Sequence, residues 1–261
     1  MEATLLGLFM ISACAFTVLL QHPSSPVSGA IPDPFVRRLL TGLAMGTTAI
    51  LLIYSPWGMQ SGGHMNPAVT LTFARLGKVA PRDALAYAVA QFAGGVGGVL
   101  IARLALGGLL AHPTVGYAAT VPGRWGAPLA FVAEAGISCV LVLVILSVSN
   151  HPRWAAFTGV CAGLLVAVYI TFEAPLSGMS MNPARTFGSA VFGQNWNGIW
   201  IYFTAPPLGM LAAAQLYLAR RGRQGVACAK LHHQNSKRCI FCEYHGRRFT
   251  TPGTNLHAST L

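Results

Sequence analysis

Two segments decide the fold of this chain: Ser61–Thr70 reads SGGHMNPAVT, and Ser177–Thr186 reads SGMSMNPART. Both contain Asn-Pro-Ala, as Asn66-Pro67-Ala68 and as Asn182-Pro183-Ala184. Asparagine is a favoured helix N-cap, and proline is favoured at the first helical position because its missing N–H is not needed there. We therefore expect each asparagine to begin a helix.

The two helices that follow are short. The apolar stretches 67–76 and 183–192 contain about ten residues each, which corresponds to about 15 Å. A bilayer has about 30 Å of hydrocarbon, so neither helix crosses it alone. Two such half-helices meeting at their N-termini would cross it together.

The rest of the sequence is that of a membrane protein. Hydrophobic residues make up 54% of the chain and charged residues 9%, against about 25% charged residues in soluble domains. The first apolar stretch follows Met1-Glu2-Ala3, which has no basic residue, so we expect a retained span rather than a signal peptide. Six stretches are long enough to span a bilayer: about 3–20, 36–55, 82–103, 127–149, 155–174 and 197–219.

The net charge of +11 is explained better by membrane topology than by nucleic-acid binding, because basic residues accumulate in cytoplasmic loops. With both termini inside, only Arg37, Arg38, Arg103, Arg124 and Arg185 lie outside. We expect a multi-pass protein of the cell membrane, surrounded by lipid, with cytoplasmic termini and no nucleic-acid partner. The interior connections then hold twelve of the seventeen basic residues: Arg75, Lys78, Arg82, Arg153, Arg220, Arg221, Arg223, Lys230, Lys237, Arg238, Arg247 and Arg248.

The two Asn-Pro-Ala segments belong to an internal repeat. Each follows the second span of its half and precedes the third. Because a unit of three spans ends on the opposite face of the membrane, the second copy is inverted relative to the first. The expected fold is an all-α membrane protein with six transmembrane helices and two re-entrant half-helices. The inverted repeats cover about 1–112 and 127–219 of a channel domain at 1–219, and 220–261 form a basic tail.

Polar residues inside the spans predict supports for the two loops. Ionisable residues in a span are costly and usually face the protein interior, where they find partners. Glu2 and Glu134 lie near the first span of each half, and we expect each to bond the backbone of an Asn-Pro-Ala loop. Gln91 is a further candidate for buried bonding. His64 is expected to hydrogen-bond locally, with pH sensing as an alternative.

The half-helices also predict a pore. Non-helical backbone at membrane depth is tolerated where protein buries it or water reaches it, so the loops before Asn66 and Asn182 should line a cavity. Both half-helix N-termini carry the positive end of a helix dipole. A cation at the midplane meets a barrier there, while a neutral hydrogen-bonding molecule does not.

These motifs resemble the major intrinsic protein family, the aquaporins and glycerol facilitators, over residues 1–219. The resemblance implies homotetramers and makes Arg185 the arginine of the narrow outer filter. Thr186 is similar to the serine of water channels, where the glycerol branch usually has aspartate. Counting without gaps, the other filter positions fall on Ile170, Met179 and Gly46, with Met45 as the alternative to Gly46. This filter is less polar than that of typical water channels.

The resemblance therefore implies a passive channel for water or small uncharged solutes. One alternative is a facilitator for glycerol, urea, ammonia or hydroxylated metalloids with low water permeability. A coupled transporter is disfavoured because coupling carboxylates beyond Glu2 and Glu134 are missing from the spans. A structural protein with a closed pore is the third alternative. An enzyme is not expected, since the sequence contains no recognisable nucleophile–base set.

The tail contains cysteine and histidine. Cys239 and Cys242 form a C-x-x-C, and Cys228, His232, His233 and His245 lie nearby in the sequence. This composition is compatible with a four-ligand zinc site and with a basic tail near anionic lipid. One C-x-x-C is weak evidence for a metal, so the basic tail is preferred and no cofactor or metal ligand is assigned.

Overall fold

The computed structural model describes residues 1–242, and all regular secondary structure within that range is helical. The expected all-α membrane fold is confirmed. Within the same range, six helical stretches are long and apolar enough to cross a membrane, of which the third extends to Ala111 and the fifth begins at Ala155. Their α-helices are α1 (Glu2–Gln21), α3 (Pro34–Tyr54), α6 (Pro81–Leu106), α7 (Gly126–Ser149), α8 (Thr158–Phe172) and α11 (Ile199–Arg221).

Two half-helices lie between these spans. They are α5 (Pro67–Arg75) and α10 (Pro183–Gly193), each with an asparagine as N-cap and a proline at the first position. The remaining short helices are α2 (Pro26–Ala30), α4 (Pro56–Ser61) and α9 (Ala174–Ser177). A short helix thus precedes each Asn-Pro-Ala loop, α4 the first and α9 the second.

The spans pack through small residues. Helix α1 packs along α6, α7 along α11, and α3 of the first half along α8 of the second. A Cβ added at Gly98 would collide with the backbone of Gly7, and one added at Gly209 with the backbone of Ala135. Small residues allow helix backbones to approach closely in a membrane, where dispersion contacts replace the hydrophobic effect as the source of helix association.

The half-helices connect the two halves of the molecule. Both α5 and α10 pack against α6 of the first half and α11 of the second. A Cβ at Gly188 of α10 would meet the carbonyl oxygen of Gly95 at 2.7 Å, so α10 lies directly on α6. This packing brings the N-termini of both half-helices to the centre of the molecule.

The outer surface of the bundle is apolar. Leu51, Leu85, Leu104, Val132 and Phe172 are 66%, 67%, 78%, 65% and 66% exposed. Such a surface on a chain with six spanning helices suits contact with lipid tails or with other subunits.

The chain after α11 is irregular but not separate. Residues beyond Gly222 fold back against the loop that precedes α5. Val226, Ala229 and Leu231 are at most 4% exposed and belong to the same apolar core as the spans. The expected tail therefore packs on the helical bundle over its described part.

Candidate functional site

One cavity of about 330 Å³ passes through the bundle. Arg38 and Ile53, from opposite ends of α3, both line it. They are fifteen positions apart in the helix, or about 22 Å along the axis. Asn66 and Asn182 line the same cavity. The cavity thus has the length of a pore through most of a bilayer, with both asparagines on its wall.

The two asparagines cross at the centre. The amide nitrogen of Asn66 donates to the carbonyl of Met181 at 2.7 Å, and that of Asn182 donates to the carbonyl of Met65 at 2.7 Å. Their side-chain oxygens accept from the backbone N–H of Ala68 and Ala184. Each amide nitrogen carries two hydrogens, so one remains available to a molecule in the cavity.

The backbone before each asparagine is strained. Met65 and Met181 have φ values of 49° and 54°, in the left-handed region that non-glycine residues avoid. Their carbonyls are the acceptors of the crossing bonds. Such conformations cost about 1–3 kcal/mol each and persist where the surroundings fix them. The strain at both positions therefore accompanies the contact that holds the two loops together.

Glu2 holds the first loop. Its carboxylate accepts from the hydroxyl of Ser61 at 2.6 Å, from the N–H of His64 at 3.2 Å and from the N–H of Met65 at 2.6 Å. Gln91 donates to the same carboxylate at 2.8 Å. Glu2 is 4% exposed, and these donors offset the cost of burying its charge.

Glu134 holds the second loop in the same way. It accepts from the hydroxyl of Ser177 at 2.7 Å and from the N–H groups of Ser180 and Met181 at 2.7 Å. It is fully buried. The tyrosine of a neighbouring span supports each loop as well, since Tyr87 donates to the carbonyl of Ser61 and Tyr202 to that of Ser177.

The filter candidates gather at one end of the cavity, which we call the Arg185 mouth. Arg185, Ile170 and Met179 all line the cavity. Nη1 of Arg185 is buried and has no hydrogen-bond partner among residues 1–242. A buried guanidinium donor without a partner is costly, so a molecule passing Arg185 can accept a hydrogen bond from it.

Gly46 does not line this cavity, and its assignment to the filter is corrected. A Cβ at Gly46 would lie 2.5 Å from the carbonyl oxygen of Gly163, which places Gly46 in the contact between α3 and α8. Met45, the alternative, lines the cavity. One position along a helix turns a side chain by about 100°, so an error of one residue exchanges a pore wall for a helix contact.

The loop between α6 and α7 also reaches this mouth, which the sequence did not indicate. Thr114, Val115, Ala118 and Ala119 line the cavity. The hydroxyls of Thr120 and Thr186 lie 2.7 Å apart. The loop has no periodic pattern that could have indicated this position.

The opposite end, which we call the His64 mouth, is covered by the tail. Nε2 of His64 donates to the carbonyl of Ala229 at 2.8 Å, and Nδ1 lies 3.0 Å from the hydroxyl of Thr70. The N–H of Leu231 donates to the carbonyl of Gly62 at 3.1 Å, and Leu231 itself lines the cavity. The short apolar run Val226–Ala229, within a polar tail, indicated that this segment is buried but not where it packs.

Aromatic and charged tail residues complete the cover. The ring of Phe241 stacks on that of His64, with centroids 5.9 Å apart and planes at 7°. Lys230 is 1% exposed and donates to the carbonyl of Lys237 at 3.4 Å. Burial lowers the pKa of Lys230, while attraction to the sulfurs of Cys239, Cys228 and Cys242 opposes this shift.

Comparison with known proteins gives one consistent result. The model of the major intrinsic protein family matches residues 2–217. Aquaporin NIP1-4 of Oryza sativa is 36% identical over 190 residues, which are 72% of this chain and 66% of that protein. Glycerol uptake facilitator protein-like 6 of Lactiplantibacillus plantarum is 34% identical over 184 residues, 67% of this chain and 82% of that protein.

A solved structure agrees on the fold. The aquaglyceroporin from Plasmodium falciparum superposes with a TM-score of 0.67 at 20% sequence identity, covering 83% of this chain and 92% of that one. The match to this chain covers 58% to 66% of the length of four plant relatives, which is less than two thirds of each.

Proposed function

Because the chain belongs to the major intrinsic protein family, we propose that it is a passive membrane channel for water and small uncharged solutes. The crossing asparagine pair supports this most strongly. Asn66 and Asn182 present amide donors to one continuous cavity, at the point where two half-helices begin. A neutral molecule that accepts hydrogen bonds finds donors there without any conformational change of the backbone.

Ion exclusion follows from the charges around the cavity. The N-termini of α5 and α10 both direct the positive end of a helix dipole at the centre. Arg185 adds a fixed positive charge at one mouth. In a narrow pore of low dielectric, these charges oppose the entry of a cation or a hydronium ion.

The filter favours an uncharged solute larger than water. Ile170, Met179 and Met45 are apolar and line the same cavity as Arg185, so Arg185 supplies the strongly polar side of the proposed filter. Such a filter suits a molecule with hydroxyl groups on one side and carbon on the other. One relative is named a glycerol uptake facilitator, so glycerol is the first solute to test.

The topology that fits this function has a channel unit at 1–219 and an appended tail at 220–261. Glu2 and Ala229 both bond to the loop before Asn66, so the N-terminus and the tail lie on one face. We assign that face to the cytoplasm of the cell membrane, because it carries most of the basic residues. Family membership supports a homotetramer.

Conductance in planar bilayers tests the passive, ion-excluding function. We expect purified wild-type protein to add no measurable proton or sodium current to the bilayer while still conducting a neutral solute in vesicles. A robust ion current through the wild-type protein would overturn the proposal.

A further inference from the structure

Four side chains of the tail form a compact group. One ligand atom from each of Cys228, His233, Cys239 and Cys242 lies within 4.8 Å of all the others. The sulfur of Cys228 is 3.4 Å from that of Cys239 and 3.7 Å from that of Cys242. Nε2 of His233 is 3.1 Å from the sulfur of Cys242. These separations are far longer than a disulfide bond of about 2.05 Å.

Three of the six ligand-to-ligand separations are close to the edges of a zinc tetrahedron, and all six are within 4.8 Å. Zinc binds cysteine sulfur at about 2.3 Å and histidine nitrogen at about 2.0 Å. A regular tetrahedron with these bond lengths has S···S edges of about 3.8 Å and S···N edges of about 3.5 Å. The observed S···S distances of 3.4 and 3.7 Å and the S···N distance of 3.1 Å are each within about 0.4 Å of these edges.

The order of the ligands in the chain also fits a small zinc-bound fold. Four residues separate Cys228 from His233, and two separate Cys239 from Cys242. Paired ligands at such spacings, joined by a short loop, are typical of structural zinc sites. Between α11 and Cys242 the tail has one short 3₁₀ turn as its regular structure. A segment with so little regular structure gains from a cross-link in addition to its packing on the bundle.

Charge supports the same assignment. Three thiolates and one zinc ion carry a net charge of minus one, because three negative charges exceed two positive ones. Lys230, which lies between Cys228 and His233 in the chain, is buried. A buried ammonium group is costly without a negative partner, and the metal site supplies one.

We propose that Cys228, His233, Cys239 and Cys242 bind one zinc ion, and that this ion fixes Ala229 and Leu231 in the His64 mouth. Leu231 lies between the first two ligands, and Phe241 lies between the last two. Both residues contact the loop that precedes Asn66: Leu231 through the carbonyl of Gly62, and Phe241 through the ring of His64. The metal site therefore controls the segment that covers one end of the cavity.

Zinc content measures the first part of this proposal. The full chain is purified in detergent under reducing conditions, supplied with zinc, desalted and analysed by mass spectrometry for metal. We expect one zinc per chain in the wild type and in the control Cys139→Ser/Cys161→Ser, whose cysteines lie in α7 and α8. Cys239→Ser/Cys242→Ser should lose the zinc. A zinc-free wild type, or a tail variant that keeps full stoichiometry, would overturn the site.

Cobalt gives a readout that does not depend on any variant. Cobalt(II) replacing zinc in the wild-type protein should give the intense visible bands of a tetrahedral site and near-ultraviolet charge transfer from thiolate. Excess zinc should abolish both. Weak bands typical of octahedral cobalt, without thiolate charge transfer, would contradict the assignment even if the tail variant failed to fold.

Solute permeability measures the second part, which rests on the proposed channel function. In proteoliposomes, Cys239→Ser/Cys242→Ser should conduct glycerol severalfold faster than the wild type with zinc, and the Cys139→Ser/Cys161→Ser control should match the wild type. If the wild type binds zinc but conducts glycerol at the same rate as the Cys239→Ser/Cys242→Ser variant, the link to the mouth is overturned and the metal site stands. If the wild type binds zinc but conducts no solute either with or without zinc, the result would instead count against the channel function.

Discussion

The two Asn-Pro-Ala loops are built on one plan but face different surroundings. Each has a glutamate below it, Glu2 or Glu134, that accepts a serine hydroxyl and two backbone N–H groups. Each has a left-handed methionine whose carbonyl accepts from the opposite asparagine. The duplicated residues are those that support the backbone.

The residues that differ are those that meet the contents of the cavity or its mouths. Val69 of the first copy corresponds to Arg185 of the second, and Gly63 corresponds to Met179. The first loop ends under the tail, where Leu231 lines the cavity. The second ends at a mouth where a guanidinium nitrogen has no hydrogen-bond partner within residues 1–242. Under the proposed function, we assign selectivity to the second loop, while the first offers a surface that the tail can cover.

Removing either glutamate should have the largest effect. Glu2→Ala or Glu134→Ala leaves at least three buried donors without an acceptor, at a cost of roughly 3 kcal/mol or more. We expect both variants to lose most solute permeability and to melt at a clearly lower temperature, measured by stopped-flow light scattering and thermal unfolding in detergent.

The matched control is Asp33→Ala, which removes an exposed helix cap at the N–H of Phe35 and should cost about 1 kcal/mol. If one glutamate variant behaved like this control while the other failed, the two loops would not be equivalent in support.

Arg185 should make the second loop a stronger barrier to cations than the first. We expect Arg185→Val, which makes the second copy resemble Val69 of the first, to raise cation conductance about tenfold, since it removes a fixed charge worth about 1–2 kcal/mol in such a pore. Planar-bilayer recordings measure this. Arg124→Val is the control, because Arg124 is exposed and stacks on Trp125. Equal currents from both variants would remove Arg185 from the filter.

The width of the filter should depend on the side chains of Met45 and Ile170. We expect Met45→Phe/Ile170→His to narrow the Arg185 mouth, restore a polar side, and raise the ratio of water to glycerol permeability by about tenfold, equivalent to about 1.4 kcal/mol in relative barrier. Stopped-flow measurements with both solutes give the ratio.

Gly46→Phe sharpens this test, because its side chain would enter the contact with Gly163 rather than the pore. We expect it to lower the yield of folded protein. A well-folded Gly46→Phe variant with a narrowed pore would restore the assignment that the geometry corrected.

Met179 should give the smallest effect. Its counterpart Gly63 has no side chain, so a reactive group at position 179 tests whether this position of the second loop borders the path. Met179→Cys should gain sensitivity of water permeability to mercurials beyond that of the wild type, whose own cysteines set the baseline. Met10→Cys is the control, because Met10 is fully buried in the core and should add nothing to that baseline. Equal inhibition of the two variants would contradict the position of Met179.

Much of the fold could be predicted because its signals are local. The fourth span was expected at 127–149 and lies at Gly126–Ser149, since apolar runs and helix caps depend on neighbouring residues. The starts of both half-helices follow from the asparagine caps and the prolines after them.

The parts that the sequence did not give depend on contacts between distant residues. Gly46 and Met45 are adjacent, and only the approach of α8 decides which of them faces the cavity. The position of the tail could not be predicted either. It depends on a hydrogen bond from the backbone N–H of Leu231 to the carbonyl of Gly62, and a hydrogen bond between backbone groups leaves no pattern in the sequence. His245, named with the tail cysteines, and the basic residues Arg247 and Arg248 lie outside the described residues.

The most direct test of the channel assignment compares solutes in one preparation. Proteoliposomes contain either the wild type or Asn66→Ala/Asn182→Ala, the variant without the crossing pair. They are exposed to an osmotic gradient for water or to a concentration gradient of glycerol, urea or ammonia. Stopped-flow light scattering, or internal pH for ammonia, follows the permeation. We predict that the wild type conducts water and at least one larger solute far above empty vesicles, and that the variant falls close to them. A wild type that conducts water well but rejects glycerol, urea and ammonia, or that conducts nothing, would contradict the account.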